Sequence, residues 1–372
     1  MASLGVRLQL LIGPTVPVPA PYPVVDALQN LEVTNRDRDF DGFKMTFSLG
    51  KDSFLDYGLL LNGLLDPPSR VIIMVFIGVR PEVLIDGIIT NHQVVPSNRP
   101  GESTLHVFGK DISLKLDLEE KNHPYPNQPD SVIVSRLLAT YPTLGLVPQI
   151  TPTKDVPIQT DRIPSQQGTD FRYINDLAGR NGFVFYIEPT PVPGVNTAYW
   201  GLDNRSGLPQ PALTMNMGGD TNVDNPITFG YDALGPVEPQ VTIVEPFTKT
   251  AIPIPLPGGL HPPLARQPAS PLRKSLPRDT ANLNPGQAAL RGLSSSSDSS
   301  DAVTGQGEVD AVRYGRALRS RRLVGVRGVG QSYDGNYYVQ EVTHRIKRGE
   351  YKQSFSLRRE GRGALLPFVV PA

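Results

Sequence analysis

The stretch YDGNYYVQEVTHRIKRGEYKQSFSLRRE, residues 333–360, alternates apolar and polar positions over two runs. Read with a period of two, the first run places Tyr338, Gln340, Val342, His344 and Ile346 on one face of a strand. The second run places a similar set on one face: Tyr351, Gln353, Phe355 and Leu357. The tetrad KRGE between the runs predicts a hairpin connection, and residues 323–329 supply a preceding strand. The sequence therefore predicts a three-stranded meander, which needs further strands to cover its face and its edges.

Composition restricts both the class of protein and the kind of site. A chain of 372 residues predicts two or three domains. Its 36 Lys and Arg balance its 36 Asp and Glu, so no global field favours nucleic acid or an anionic membrane. The absence of cysteine excludes disulfides and thiolate sites, and five scattered histidines argue against most zinc chemistry. The N-terminus lacks a basic region and is interrupted by Pro14, so we expect cytoplasmic assembly without a signal peptide or direct membrane insertion.

The distribution of strand and helix patterns divides the chain into three predicted units. Residues 1–125 contain alternating runs typical of an antiparallel β unit, and residues 126–226 contain two helix patterns and a strand. Residues 227–372 return to β patterns. Within this last unit, residues 246–310 are rich in Pro and Ser and contain few large apolar side chains, which predicts a flexible insert.

The two helix patterns of the middle unit carry recognisable end signals. Asp130 or Ser131 is expected to cap the first helix. Thr169 is expected to cap the second helix, and Gly182 stands just beyond its end.

Two motifs resemble chemical sites and fail on one position each. Residues 36–42, RDRDFDG, match the opening of a calcium loop, but Ser48 stands where a bidentate Glu should complete the ligands. We interpret them as a polar turn. Residues 328–335, GVGQSYDG, resemble a nucleophile elbow, but Asp334 occupies a position that requires glycine. We interpret them as a hairpin turn.

Two further features have structural and functional interpretations. His344 alternates with strand residues and is expected to be a half-buried structural histidine. Residues 313–322, RYGRALRSRR, concentrate five arginines in a possible short helix. They could form a solvated helix face or meet phosphates or an acidic protein patch. No pattern assembles catalytic, cofactor-binding or metal-binding residues, which favours a structural or interaction protein over an enzyme.

Four stretches, taken in order, resemble the phage late control gene D proteins, which are the tail baseplate hubs of contractile phages, and the hub part of the type VI secretion spike protein. The stretches are VRLQLLIG with LQNLEVTNRDRDFDGFKMTFSL, VLIDGIITNHQVV with STLHVFGKDISLKLD, IPSQQGTDFRYINDLAGRNGFVFYIE, and the closing residues 333–360. In the second stretch, Gly87 and Gly109 match the hallmark pair of strands. In the last stretch the match includes Gly335, Tyr337, Val339, Val342, His344, Gly349, Tyr351, Phe355, Leu357 and Arg358.

This resemblance implies a mainly β fold with a small α/β part, in which two tail-tube-like antiparallel β-barrels flank an inserted α/β domain. Three chains with two barrels each would form a ring of pseudo-sixfold symmetry. The implied function is that of a homotrimeric adapter that joins a hexameric inner tube protein to a separate trimeric spike protein beside other baseplate components. No enzymatic activity and no cofactor are implied. The particle would be a phage tail or a phage-like extracellular contractile injection system that can be released.

Candidate contact residues follow from exposed strand positions. Lys44, Arg345, Lys352 and Arg358 are expected on outer strand faces, where they could contact a neighbouring copy or the tube. The apolar residues 363–372, GALLPFVVPA, are expected to dock the spike or another baseplate part. Because no repetitive β-helix follows, the spike is expected to be a separate polypeptide.

Two other functions remain open from sequence. A carbohydrate-binding β-rich adhesin would need exposed aromatic platforms, whereas the chain contains one Trp. A hydrolase would need a site that these patterns do not contain.

Overall fold

The computed structural model describes residues 5–50, 58–61, 63–99, 101–157, 163–244, 250–256, 260–277 and 285–365. The described part is mainly β with a smaller α/β part, which confirms the predicted fold class. Thirteen strands of the described part belong to one large sheet, and the other strands form sheets of two or three strands.

The N-terminal part of the chain forms one half of the large sheet. Its elements are β1 (Val6–Gly13), β2 (Val18–Pro19), α1 (Tyr22–Ala27), β3 (Leu28–Arg36), β4 (Gly42–Ser48), α2 (Gly58–Leu61), β5 (Arg70–Ile77), β6 (Arg80–Val95) and β7 (Thr104–Asp111). In β4 the alternation expected from sequence buries Phe43, Met45 and Phe47. These side chains pack in one core with residues of β1, β3, β5, β6 and β7.

The two glycines of the second motif, Gly87 and Gly109, lie under the ring of Phe43. A Cβ atom at Gly87 would lie 2.9 Å from Cε1 of Phe43, and one at Gly109 would overlap the same ring. The absence of side chains on β6 and β7 therefore makes room for the aromatic ring of β4. This packing gives the matched glycines a physical reason.

The middle part of the chain folds around two helices and a small sheet. Its elements are η1 (Ile112–Asp117, a 3₁₀ helix), β8 (Glu120–Pro124), α3 (Asp130–Ala139), η2 (Pro142–Leu144, 3₁₀), β9 (Leu146–Ile150), β10 (Ser165–Thr169), α4 (Asp170–Asn181), β11 (Val184–Pro189) and β12 (Asn196–Gly201). Trp200 is fully buried there, with the ring of Phe183 edge-on at 4.8 Å between centroids.

Both ends of α4 follow the sequence signals. The Thr169 hydroxyl accepts the N–H of Arg172, and Gly182 ends the helix with a φ of 70°. The cap expected for α3 is wrong, because Pro129 occupies the cap position and no side chain caps the helix. Asp130 instead accepts hydrogen bonds from Arg180 and Asn181 of α4, so its carboxylate joins the two helices.

The C-terminal part completes the large sheet. Its elements are β13 (Gln210–Thr214), η3 (Gly218–Asp220, 3₁₀), β14 (Val223–Tyr231), β15 (Val237–Pro239), β16 (Val241–Val244), β17 (Ala251–Ile254), β18 (Ala265–Pro268), β19 (Arg273–Ser275), α5 (Pro285–Asp298), β20 (Val303–Asp310), α6 (Ala311–Tyr314), β21 (Leu323–Arg327), β22 (Gly335–Lys347), β23 (Glu350–Arg359) and β24 (Gly361–Ala364). Strands β21, β22 and β23 pair in sequence order, which confirms the predicted meander.

The face expected for β22 holds only in its second half. Val342, His344 and Ile346 are all buried as expected, although Val342 packs in one core and Ile346 in another. A register shift between Val339 and Glu341 changes the alternation, so Val339, and not Gln340, packs in the core that contains Val342. A bulge of this kind adds one residue to one strand and reverses the faces before it.

The flexible insert expected at residues 246–310 is wrong for its last part, because residues 285–298 form α5 and residues 303–310 form β20. Strand β20 pairs with β14 on one edge and β23 on the other. Helix α5 packs on α4 through small residues, and the Ser294 hydroxyl donates a hydrogen bond to the Gly179 carbonyl oxygen at 3.1 Å. Such contacts bury little apolar area, so composition does not indicate them.

The two separate closed barrels implied by the resemblance do not occur in the described pairings. The large sheet runs β14–β20–β23–β22–β3–β4–β7–β6–β5–β1–β2, and β3 pairs with β4 on one edge and β22 on the other. A groove of about 630 Å³ is lined by β1 residues Val6 and Leu8 and by residues 346–351 of the β22–β23 hairpin. The first set of strands is therefore open at this groove, and β3 joins it directly to the second set.

Candidate interaction surface and buried charge clusters

One face of the large sheet is polar across strands β20, β23, β22, β3 and β4. Because side chains alternate, every strand whose core face is apolar presents its other positions to solvent. Cross-strand pairing aligns these positions in a row, with Lys352 opposite Arg345, Arg345 opposite Glu32, and Glu32 opposite Lys44. Three of the four candidate contact residues thus share one row. We call this surface the polar face.

Opposite charges compensate one another on the polar face. Arg345 lies 3.8 Å from Glu32 and 3.7 Å from Glu308, and Lys352 lies 3.5 Å from Glu308. The Glu308 and Glu350 carboxylates raise the pKa of Lys352. The ammonium of Lys44 lies 5.5 Å from the centroid of the Phe108 ring on the next strand. The surface is therefore charged locally and nearly neutral as a whole.

Arg358 does not have the exposed position expected for it. Its alternation would place it on the polar face, but its side chain is only 11% exposed. Its Nη2 atom lies 2.6 Å from Asp37 and 3.4 Å from Asp203, and its Nε atom lies 3.4 Å from Asp301. The loop that follows β12 and the residues before β20 supply two of these carboxylates and cover this end of the sheet.

Arg358 belongs to a group that we call the first charge cluster. Arg205 lies beside it and donates two hydrogen bonds to Asp301, at 2.8 Å and 2.6 Å. The ring of Tyr338 lies between the two guanidiniums, 5.2 Å from that of Arg205 and 5.0 Å from that of Arg358. Burial raises the pKa of Asp37 despite the adjacent Arg358. The members are Asp37, Asp203, Arg205, Asp301 and Arg358.

A second charge cluster, formed by Asp41, Asp111 and Arg321, lies at the other end of the same turn. The guanidinium of Arg321 donates to both carboxylate oxygens of Asp41, at 2.8 Å and 3.1 Å. The backbone N–H of Asp41 donates to Asp111 at 2.6 Å, and the N–H of Ser113 donates to the same carboxylate at 2.8 Å. Burial and the neighbouring Asp41 raise the pKa of Asp111 to about 7.

The motif RDRDFDG is thus a polar turn, and two of its acids are buried. Asp37 and Asp41 are 5% and 1% exposed, whereas the sequence pattern indicated a turn without showing that its acids meet distant arginines. No group of three or more His, Cys, Asp or Glu side chains is placed to hold a metal ion within the described ranges.

The arginines of residues 313–322 mainly bind acidic residues of their own chain. Besides Arg321, Arg313 lies 2.9 Å from Asp224, Arg319 lies 2.6 Å from Glu82, and Arg322 lies 2.8 Å from Glu188. Helix α6 ends at Tyr314 because Gly315 adopts a φ of 79°. Both sequence interpretations are therefore incomplete, since the segment meets acidic residues on separate elements of its own chain, while the side chains of Arg313 and Arg322 stay about half exposed.

His344 is fully buried and not half-buried. The Tyr351 hydroxyl lies 2.9 Å from its Nδ1 atom. Burial and the charge of Arg319 lower the pKa of His344 to about 3, so its imidazole is neutral near pH 7. This environment fits the expected structural role. In the turn between β21 and β22, the Asp334 carboxylate accepts the N–H of Val329 at 2.9 Å, which agrees with a hairpin turn.

Among the described residues, the helices are all too short or too polar to cross a membrane. No protein-family model matches the chain. No curated protein matches it either.

Solved structures are similar to the chain over nearly its whole length. The tail protein from Neisseria meningitidis has a TM-score of 0.64 at 13% identity, with 96% of this chain and 98% of that chain covered. A prophage tail protein from Shewanella oneidensis has a TM-score of 0.63 at 14% identity, with 96% and 99% covered. An E. coli component of the type VI secretion system, described as similar to T4 bacteriophage tail proteins, has a TM-score of 0.55 at 13% identity, with 93% and 78% covered. The chain therefore has the tail-protein fold that its four motifs predicted, a fold shared by phage tail proteins and this type VI secretion component.

Proposed function

We propose that the chain is the baseplate hub of a contractile injection particle, where it acts as a homotrimeric adapter between a hexameric inner tube and a separate trimeric spike. The observation that carries this proposal is the end-to-end likeness to tail proteins, which covers 96% of this chain and 98% of the Neisseria tail protein. A match over both chains supports a role of the whole molecule in a tail, because it is not limited to one common β motif. The particle is a phage tail or a related extracellular injection system.

The division of the chain suits a change of symmetry. We propose that residues 1–125 and 227–372 are two tube-like units and that residues 126–226 form the α/β domain between them. Three copies then present six tube-like units in a ring, which matches a hexameric tube above and leaves threefold symmetry for the spike below. Each copy meets the next through different surfaces, as a closed ring requires.

The polar face is proposed as a rim contact with the tube or with a neighbouring copy. Lys44, Arg345 and Lys352 form its basic positions, and Glu32 and Glu308 lie among them. Contacts of this kind set orientation and the rate of encounter more than affinity, and they weaken with salt. Arg358 is assigned instead to the internal contacts that hold the ring-forming unit together.

The proposed role is structural and not catalytic. An adapter needs no reactive groups, and the buried pairs Arg321–Asp41 and Arg358–Asp37 each join distant parts of the chain. The apolar residues 363–372 are proposed to dock the spike or another baseplate part. Residues 366–372 lie outside the described part, so this proposal rests on their sequence.

The mass of the purified chain in solution tests the proposal. Light scattering should give about three times 40.5 kDa for the chain alone, or, after mixing with its tube protein or its spike, a complex whose mass corresponds to three copies of the chain plus the partner. A monomer that binds neither protein at any ratio would contradict the adapter function. Binding to the tube without a trimer would retain a tail role and exclude the symmetry adapter.

A further inference from the structure

The two charge clusters contain more carboxylates than guanidiniums. The first holds Asp37, Asp203 and Asp301 against Arg205 and Arg358. The second holds Asp41 and Asp111 against Arg321 alone. Each cluster therefore has one carboxylate in excess, in surroundings where an unpaired charge is costly.

Neighbouring groups modify this balance without removing it. Arg38 lies in the exposed part of the turn and acts on Asp37, and Tyr338 packs against the first cluster. Tyr186 packs against Arg321, and Glu188 adds a negative charge near Arg321 while pairing with Arg322. Arg36 contributes its backbone N–H to Asp41, and its guanidinium pairs with Glu341 at the surface. Arg38 thus offsets part of the excess in the first cluster, whereas the second cluster keeps one carboxylate in excess.

The clusters lie where separate parts of the chain meet. Asp37 and Asp41 flank the β3–β4 turn, and Asp111 ends β7 and caps η1, which leads into the middle part. Asp203 and Arg205 belong to the loop after β12, so they come from the middle part itself. Any change of charge in the clusters therefore acts on the junction between the large sheet and the middle part.

We propose that the charge clusters form a proton-dependent latch, in which Asp111 binds a proton when the junction is closed and loses it as the junction loosens at higher pH. The second cluster of the closed junction then holds balanced charges, two carboxyl groups with one protonated against the guanidinium of Arg321. The open junction admits water, which solvates the excess carboxylates. This inference concerns the fold alone and does not depend on the tail function.

The direction of the pH dependence follows from linkage. Burial raises the pKa of Asp111 from 3.8 to about 7 and also raises that of Asp37. A raised pKa in the closed state means that protonation favours closure. The stabilisation is complete below the ordinary pKa of an exposed Asp, and it is lost as the pH rises to about 7. For Asp111 alone, the opening constant should rise about tenfold per pH unit in this window and then level off.

Amide hydrogen exchange of the full-length chain tests the latch. The N–H groups of Asp41 and Ser113 both donate to the Asp111 carboxylate, so the peptides around residues 37–43 and 111–117 are direct reporters. After correction for the intrinsic rate, protection in these peptides should fall about tenfold per pH unit from pH 5.5 to about 7 and change little from 7.5 to 8.5. Constant protection over this range in the wild-type chain would overturn the proposal.

Substitutions separate the latch from general effects of pH. Asp111→Asn removes the titrating group, and the double variant also carries Asp37→Asn. In both variants protection should depend little on pH. At pH 5.5 it should not fall below the level that the wild type reaches at pH 8.5. Asp86→Asn is the matched control, because Asp86 is as buried but has its own guanidinium partner, Arg70, at 2.6 Å. Its slope should remain that of the wild type. A slope that persists in Asp111→Asn and in the double variant would refute the assignment. If the double variant fails to fold, the wild-type slope and Asp111→Asn decide.

Discussion

The Asp41 carboxylate and the Arg321 guanidinium are joined by two hydrogen bonds, at 2.8 Å and 3.1 Å, although 280 positions separate the residues in sequence. Both side chains are buried. Arg321 has a left-handed backbone with a φ of 62°, and its guanidinium lies 4.4 Å from the centre of the Tyr186 ring. This one arginine therefore links the β3–β4 turn, the start of β21 and strand β11, and it ties the N-terminal, middle and C-terminal parts together.

Removal of Arg321 should destabilise the chain strongly. The variant Arg321→Met leaves the Asp41 carboxylate buried without its cation, which typically costs about 3–5 kcal/mol. Urea unfolding followed by circular dichroism measures this change. Arg36→Met is the control, because Arg36 pairs with Glu341 at the surface and its side chain is 47% exposed. Its cost should stay below about 1 kcal/mol. Equal losses in the two variants would contradict the internal role of Arg321.

The packing of Phe43 over two glycines gives a second prediction. Gly109→Ala forces a methyl group into the ring of Phe43, and overpacking of this kind costs about 1–3 kcal/mol. Gly219→Ala is a suitable control, since no atom lies within 4 Å of a Cβ at that position. Thermal unfolding of both variants should show a lower Tm for Gly109→Ala only. The smaller Leu side chain in the double variant Phe43→Leu/Gly109→Ala should recover part of the loss, while the contact with the Ile88 carbonyl oxygen remains.

The sequence predicted the parts of the fold that depend on local periodicity. The meander of β21 to β23, the cap at Thr169 and the end of α4 at Gly182 follow from alternation and from local backbone chemistry, and the structure confirms them. Helix α5 was missed because its contacts use Ala288, Ser294 and similar small side chains. The composition of such a segment resembles that of a linker.

The position of the candidate contact residues could be predicted only from the alternation of side chains along each strand. Lys44, Arg345 and Lys352 lie on the polar face as alternation requires. Arg358 occupies the same face of its strand by alternation, but the loop that contains Asp203 covers it. Asp203 precedes Arg358 by 155 positions in the sequence. The pairing of distant charges depends on the folded path of the chain, so no local pattern could identify either charge cluster.

The single tryptophan provides a probe of the middle part. Trp200 is fully buried and donates its indole N–H to the Ile174 carbonyl oxygen at 3.3 Å. We expect its fluorescence emission to lie at shorter wavelengths in the folded chain and to shift to longer wavelengths on unfolding.

Trp200→Ala should lower the unfolding free energy by about 3–5 kcal/mol, measured by circular dichroism, because it opens a cavity in the core. Tyr22→Ala, at a side chain 78% exposed, should cost less than about 0.5 kcal/mol. Emission typical of exposed indole in the folded chain would contradict this core.

The polar face gives a prediction that depends on the proposed function. Arg345→Glu places a negative charge between Glu32 and Glu308, which already lie 3.8 Å and 3.7 Å from the wild-type side chain. Binding to the tube protein should then weaken, and its dependence on salt should change, while the unfolding free energy falls by only about 1 kcal/mol. Calorimetric titration at two salt concentrations measures both effects. Arg99→Glu is the control, because Arg99 lies in the loop between β6 and β7, outside the strands of the polar face, and pairs with Glu102. Unchanged binding in Arg345→Glu would exclude the polar face from the contact.

The buried His344 should set part of the acid sensitivity of the chain. Burial and Arg319 lower its pKa from 6.5 to about 3, so protonation favours the unfolded chain. The stability that depends on neutral His344 is complete above pH 6.5 and is lost as the pH falls from 6.5 towards 3. At pH 4.5, two pH units below the unfolded value, the loss should be about 2.7 kcal/mol relative to pH 8.

His344→Gln cannot titrate, so its stability should fall less over this range, although loss of the Tyr351 contact lowers its value at pH 8. Urea unfolding at each pH gives the two curves, and subtraction cancels the opposite contribution of Asp111, which is present in both proteins. Between pH 7 and pH 9 the curves should run parallel. Parallel curves from pH 8 down to pH 4.5 would mean that His344 binds a proton as readily in the folded chain as in the unfolded chain, which its complete burial would then fail to explain.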